Sequence, residues 1–209
     1  VLGAAFYWFV LRSNAPPPAA LPAAPASFGS GTLPGTWRVE PGPNVFAGYR
    51  IHELFGGDAL SRIAVGRTPG VSGEMLITGS RVSTVDVTAD MTKLTSDQGR
   101  RDRYITSHAI DSTSFPTATF HLTQPIGLSG LAVVGRVAQL SATGQLTLHG
   151  VTRSVVVPLQ ARWDGSSISV SGGAPIVLAD YHIDPPNIGG LVSVDATGTF
   201  EFQLTFAKA

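Results

Sequence analysis

No cysteine occurs anywhere in the 209 residues. That absence excludes disulfides, thiolate nucleophiles and cysteine-held zinc or iron–sulfur centres together. Charge is nearly as scarce: charged residues make up 13% of the chain, 14 basic against 14 acidic, and no run of Lys or Arg exceeds the pair Arg100–Arg101. A nucleic-acid partner needs a concentrated basic surface, so none is expected. The catalytic signatures are missing as well, with no G-x-S-x-G, no G-x-x-x-x-G-K-[ST] and no G-x-G-x-x-G. The five histidines, at 52, 108, 121, 149 and 182, form neither His-x-His nor H-E-x-x-H, so a metal site would have to be assembled by the fold alone. The expectation is a protein with no enzymatic activity, metal or cofactor. A hydrolase stays open only as a Ser-His-Asp triad scattered along the chain.

What the chain has instead is apolar residues, 43% of the total, enough to bury a sizeable core and to exclude a disordered chain. Residues 1–11, VLGAAFYWFVL, form an uncharged apolar run too short to span a bilayer by itself. They read as the exit half of a signal anchor, with Tyr7 and Trp8 at the interface where aromatic residues gather. The alternatives are the core of a cleaved signal peptide and a segment with neither role; the A-x-A site at Ala24–Ala26 lies far past the run for cleavage. Residues 12–35 are rich in Pro and Ala without a period. Such a segment favours an extended polyproline conformation at about 3.1 Å per residue and reads as a linking stalk reaching roughly 70 Å.

From residue 36 to 209 the dominant signal is alternation with period two. TFEFQLTF, 199–206, puts Phe200, Phe202, Leu204 and Phe206 on one face and Thr199, Glu201, Gln203 and Thr205 on the other. The same pattern places Val85, Val87, Ala89 and Met91 on one face, and Val155, Val157, Leu159, Ala161 and Trp163 on another. Further strands are expected near 36–40, 44–53, 71–78, 117–123, 131–148, 167–178 and 191–197, punctuated by Asp164–Gly165, Gly172–Gly173 and Gly189–Gly190. Some eight to ten antiparallel strands need their edges managed, by closure into a barrel or by a sandwich.

One stretch breaks the pattern. RDRYITSHAIDSTSFPTATF, 101–120, carries Tyr104, Ile105 and His108 at helical spacing, Ser96 or Asp97 as N-cap, and Phe115–Pro116 to force extension again. The pair Arg101–Asp102 is an acid/base candidate or, more simply, a helix-start carboxylate among amides and guanidinium groups. The aromatic residues, Trp37, Phe46, Tyr49, Phe55, Tyr104, Phe115, Phe120, Trp163 and Tyr181, fill a core or line a cavity, depending on whether the barrel outgrows its side chains. A lipid binder needs no conspicuous polar motif, because each buried methylene contributes about 0.8 kcal/mol.

Three segments in order point to a family. The 101–120 segment resembles that of YceI-like proteins, in which an Arg-Asp pair opens a short helix that ends at an aromatic-Pro step. GQLTLHGVTRSVVVPL, 144–159, is similar to that family's Gly-x-Leu-Thr-x-x-Gly-Val-Thr-basic strand pair, and VSTVDVTADMTKLTSD, 82–97, to its preceding strand and loop. The opening, TWRVEPGPNVFAGYRIHEL, and the ending, ADYHIDPPNIGGLVSVDATGTFEFQLTF, fit in order and spacing.

The resemblance implies an all-β fold, an antiparallel lipocalin-like closed barrel of about eight strands with one short helix near 98–110. It implies a long-chain isoprenoid or other lipid as ligand, no enzymatic activity, and a place in the bacterial cell envelope, either tethered to the membrane by the N-terminal segment or secreted or periplasmic. A second copy of the chain is also a candidate partner. The cavity would be lined by Phe46, Tyr49 and Ile51 of the second strand, Tyr104 and Ile105 of the helix, and Phe115 and Phe120 after it. Leu146, Leu148, Val157, Leu159, Trp163 and Tyr181 would complete it, with Arg101, Asp102 and Pro116 in structural roles. Family members often carry His where Glu53 follows His52, and His where the helix has Tyr104, so the head-group preference is this chain's own. The competing reading is a structural or adhesive barrel in which Val157, Leu159, Ala161 and Trp163 pack shut.

Overall fold

The computed structural model describes residues 15–55, 60–188 and 192–209. The apolar run at 1–11 and the turn expected at Gly189–Gly190 lie outside the described residues. In chain order the strands are β1 (Gly35–Val39), β2 (Phe46–Phe55), β3 (Leu60–Thr68), β4 (Val71–Thr78), β5 (Arg81–Asp90), β6 (Thr95–Ser96) and β7 (Thr117–Leu122). They continue with β8 (Ile126–Gly127), β9 (Val137–Leu148), β10 (Val151–Trp163), β11 (Ser167–Val177), β12 (Asn187–Ile188), β13 (Val192–Val194) and β14 (Thr197–Lys208). Eight of them, β1-β4-β5-β7-β9-β10-β11-β14, form an antiparallel ring that closes where Trp37, Arg38 and Val39 pair with Lys208, Ala207 and Phe206. Closure removes the exposed edges, and the expected barrel is the fold found.

The longest ladder, β9 with β10, turns at His149–Gly150, whose φ angles of 50° and 72° are the paired positive values of a type I′ hairpin. Gly150 is needed twice over, since a Cβ there would also lie 2.6 Å from the Phe115 ring. The N-terminal half of β14 pairs with β2, from Thr199↔Arg50 to Gln203↔Phe46, and β2 pairs in turn with β3. Strand β3 has no counterpart in the sequence reading, for a physical reason. Its inward positions include Arg62, Ala64 and Gly66, the last kept without a side chain by the Tyr49 ring over it, so no large apolar residue marks the period.

One end of the barrel is sealed. Leu33, Trp37, Leu128, Leu131 and Ile168 are buried there, the Trp37 indole donates to the Leu33 carbonyl at 2.8 Å, and Leu128 N–H donates to Ser80 O at 2.9 Å. The strand expected over 131–148 therefore begins only at Val137, because Leu131 turns into this seal and Gly135 takes a positive φ of 78°.

The opposite end carries the helix α1 (Gly99–Tyr104), which widens into a π turn over Ile105–Ala109. Its N-cap is Gln98, not Ser96 or Asp97, and makes no side-chain cap bond. Ser96 and Asp102 do that work from outside: Asp102 Oδ1 accepts from Ser96 N–H at 2.9 Å and from its hydroxyl at 2.5 Å, tying the helix start to β6. At the exit the Pro116 carbonyl accepts from Met91 N–H at 2.8 Å, which registers β7 against the turn after β5.

The stalk expected at 12–35 differs most. Residues 15–34 do not stand free: Arg50, Arg67 and Arg162 donate to the carbonyls of Pro16, Pro17, Pro22 and Ala23 along the outer wall. An extended polyproline segment leaves its carbonyls unpaired, and these guanidinium groups take them up. Replacing Gly150 by Ala should cost about 1–3 kcal/mol in urea denaturation, from the positive φ and the Phe115 contact together; an unchanged midpoint would refute this account of the turn.

Candidate functional site

Every second residue of the ring strands points inward, and the inward set does not fill the space. A cavity of about 190 Å³ runs along the barrel, more than ten times the roughly 10–15 Å³ that one water needs. Its wall includes Ala47 and Tyr49 from β2, Val85 and Val87 from β5, and Phe200 and Phe202 from β14. Phe200 and Phe202, with ring centroids 6.3 Å apart, are only half-buried although they face inward, because the hollow lies beside them. Among polar residues the wall includes Tyr49, Thr119 and Glu201. The Glu201 side chain points to the outer face, where Arg67 at 2.6 Å and Arg50 at 3.4 Å engage its carboxylate, leaving the interior apolar.

Period two carries the inward face of β2 from Ala47 through Tyr49 and Ile51 to Glu53 at the helix end. There Arg101 of α1 grips Glu53 with both arms, Nε to Oε1 at 2.6 Å and Nη2 to Oε2 at 2.9 Å. Arg62 of β3 adds Nε to Oε2 at 2.6 Å, and Arg101 Nη1 reaches Asp97 at 2.6 Å. Glu53 and Arg101 are 6% and 9% exposed. Burial opposes the Arg101 charge, but the bonds to Glu53 outweigh it and raise its pKa. Two cations and two anions balance in the cluster, so a pair read from sequence as acid/base or helix-start is a lock between helix and barrel.

Next to this cluster, burial pushes the Tyr49 hydroxyl above its ordinary pKa; Arg101 opposes the shift and Glu53 reinforces it. Of the other residues expected at the cavity, Phe120, Leu146, Leu148, Val157 and Leu159 lie in its wall. The rest sit elsewhere. Phe46 is on the outer face, with the Arg67 guanidinium 3.9 Å over its ring. Ile51 and Ile105 pack against the core, and Tyr104 stacks on His108 at 4.8 Å. Phe115 packs on His149 at 4.3 Å, and Tyr181 is buried in a 3-10 turn, its carbonyl 3.1 Å from His149 Nδ1. Trp163 is buried toward the sealed end, and its Nε1 has no partner among the described residues. His52 points outward to Asp195, 3.2 Å away and half exposed. Sequence reasoning left Phe200 and Phe202 out of the site even though their alternation was plain; the signal was there in the strand's apolar face.

This is a closed antiparallel barrel with an apolar cavity and a helix locked across one end. The YceI-like domain profile matches residues 53–206, and the chain belongs to that family. Curated relatives include a UPF0312 protein of Vibrio campbellii, 32% identical over 120 residues, and one of Vibrio cholerae, 29% identical over 120 residues. Each match covers 54% of this chain, and the chain spans 59% and 60% of the length of these two relatives. Among solved structures, a polyisoprenoid binding domain from Saccharophagus degradans superposes with a TM-score of 0.63 at 16% identity, over 85% of this chain and all of that one. Burkholderia cenocepacia BcnA gives 0.57 at 16% identity, over 75% of this chain and 95% of that one. At these identities the structures establish the shared fold.

Two outcomes follow. Glu53→Ala strands two buried guanidinium groups and should lower stability by about 3–5 kcal/mol in chemical denaturation, most of it recovered when Arg101→Met is added; a loss under about 1 kcal/mol would mean the cluster is solvated. The raised Tyr49 pKa makes its stabilisation complete below the ordinary tyrosine value of about 10, to be lost as pH climbs above it. Tyr49→Phe should therefore flatten the alkaline fall of the urea midpoint, and parallel pH profiles for both proteins would assign that fall to another group.

Proposed function

We propose that the protein binds a long-chain apolar ligand, a polyisoprenoid, quinone or fatty-acid derivative, in the barrel cavity and carries it without chemical change. The observation that supports this reading is the cavity itself, whose lining is almost wholly apolar. At about 0.8 kcal/mol per methylene, ten buried carbons supply roughly 8 kcal/mol before ordering costs. The name of the Saccharophagus degradans neighbour, a polyisoprenoid binding domain, agrees with this class. A structural barrel with a filled interior has no use for such a void.

The reading extends to place and role. The barrel belongs in the bacterial cell envelope, on the outer side of a membrane, with residues 1–11 as tether or signal segment. There it would transfer its ligand between the membrane and other acceptors.

Native mass spectrometry of the chain, followed by organic extraction, tests the reading: an added mass that extracts as a long-chain lipid is expected. Ala118, half-buried in the cavity wall, is the position at which to block it, since Ala161, also in the wall, is only 1% exposed. Ala118→Trp should abolish loading while costing no more than about 1–3 kcal/mol in stability. Full loading of that variant, or a bare mass for the wild type after incubation with polyprenols, quinones and fatty acids, would overturn the reading.

A further inference from the structure

The outer wall of the barrel holds an arrangement that the cavity does not explain. Arg162, Ser169, Ser171, Glu201 and Gln203 are buried, yet they alternate with cavity-facing residues along β10, β11 and β14 and so point outward. Crossing them is the proline-rich N-terminal segment. Arg50 Nη2 donates to Pro16 O at 2.7 Å, Ala19 N–H donates to Glu201 Oε2 at 3.2 Å, and Arg162 Nη2 donates to Pro22 O at 2.7 Å. Between them Arg67, stacked on Phe46, donates to Pro17 O at 2.6 Å. With Arg162 Nη2 also donating to Ala23 O at 2.9 Å, the contacts fall at 16, 17, 19, 22 and 23, so the proline-rich segment is held against the wall along its length. The proline run breaks at Ala19, the one place where Glu201 needs an N–H that proline lacks.

We propose that this wall is a recognition site for polyproline II segments, separate from the cavity, which the chain's own residues 16–23 occupy as an internal ligand and which the same segment of a second copy of the chain can enter in exchange. Each of these bonds reads a backbone atom, so an identical segment from another copy presents identical chemistry. Residues 15–32 bury no side chain fully, and the first buried anchor after them is Leu33, so exchange strips nothing from the core. The formal net charge of zero leaves two copies without mutual repulsion. Tethering favours the internal ligand through its high effective concentration. Exchange or release turns a segment braced against the wall into a free linker of about 3.1 Å per residue.

The test uses the full chain and a fluorescein-labelled synthetic peptide of residues 15–28. A chain carrying Pro16→Gly, Ala19→Pro and Pro22→Gly keeps the wall and weakens the internal ligand, and should bind the peptide at least about tenfold more tightly than the wild type. Adding Arg67→Gln and Arg162→Gln should return binding to the wild-type level, as should placing proline at the peptide's Ala19 position. Hydrogen exchange on the unaltered chain reads the same event: the Ala19 amide is protected, and excess peptide should raise its exchange rate in a dose-dependent way. Peptide binding no tighter than wild type by a folded triple variant, or an Ala19 rate indifferent to peptide, would overturn the proposal.

Discussion

The carboxylate of Glu53 is where the barrel is joined at its helix end. Strand β3 meets β6 through only two residue pairs, Gly66↔Ser96 and Arg67↔Thr95, so backbone bonds alone make a weak seam there. Side chains complete it. Glu53 comes from β2, Arg62 from β3, Asp97 from the loop after β6 and Arg101 from α1, so one ion cluster ties the helix to strands with which it shares no ladder. Burying such charges carries a desolvation cost of several kcal/mol per ion, which only near-ideal geometry offsets. The bidentate Arg101–Glu53 pair supplies that geometry, and the fixed fork of a guanidinium supplies direction that a lysine ammonium lacks. A helix set by this cluster has one position across the barrel end.

The hollow interior is the second constraint, and it opposes stability. An unfilled void costs on the order of 24 cal/mol per Å³, which for a cavity of about 190 Å³ amounts to roughly 4–5 kcal/mol. That is a large share of the stability of an ordinary domain, about 5–15 kcal/mol. The sealed end and the long β9–β10 ladder hold the walls apart against this tendency to collapse. An apolar ligand restores the missing contacts, so occupancy and stability rise together.

How much of this was legible follows from which residues carry large side chains. β14 and β10 announce themselves because Phe200, Phe202, Val157 and Leu159 alternate with polar residues. β3 does not, because the Tyr49 ring leaves no side-chain room at Gly66 and the adjacent inward position is the small Ala64, so no large apolar residue shows the period. The helix was readable in extent, yet its cap was not, since Ser96 and Asp102 act across the N-terminus from positions flanking Gln98. Glu53 stood out only as a departure from the family's pattern; its partner lies 48 residues on in Arg101, a separation that no local rule bridges. The aromatic residues beyond the ring, Phe115, Tyr104 and Tyr181, were misplaced because aromaticity signals burial without saying against what.

The proline-rich segment and the cavity share their strands. On β14, Phe200 and Phe202 face the cavity, while Glu201 and Gln203 face the wall that residues 15–23 cross. Side chains in a strand alternate with a period of two, so a slip of one residue would carry Glu201 into an apolar interior and a phenylalanine under the arginines. Neither error is tolerable: a carboxylate among hydrocarbon is heavily penalised, and Arg50 and Arg67 would lose the anion between them. Composition inside the barrel therefore sets register from one face and the Arg–Glu–Arg row sets it from the other. The hollow gives inward side chains few opposing partners with which to correct a misaligned strand. An outer row of paired charges, covered by an extended segment, provides that discrimination from outside and leaves the interior open.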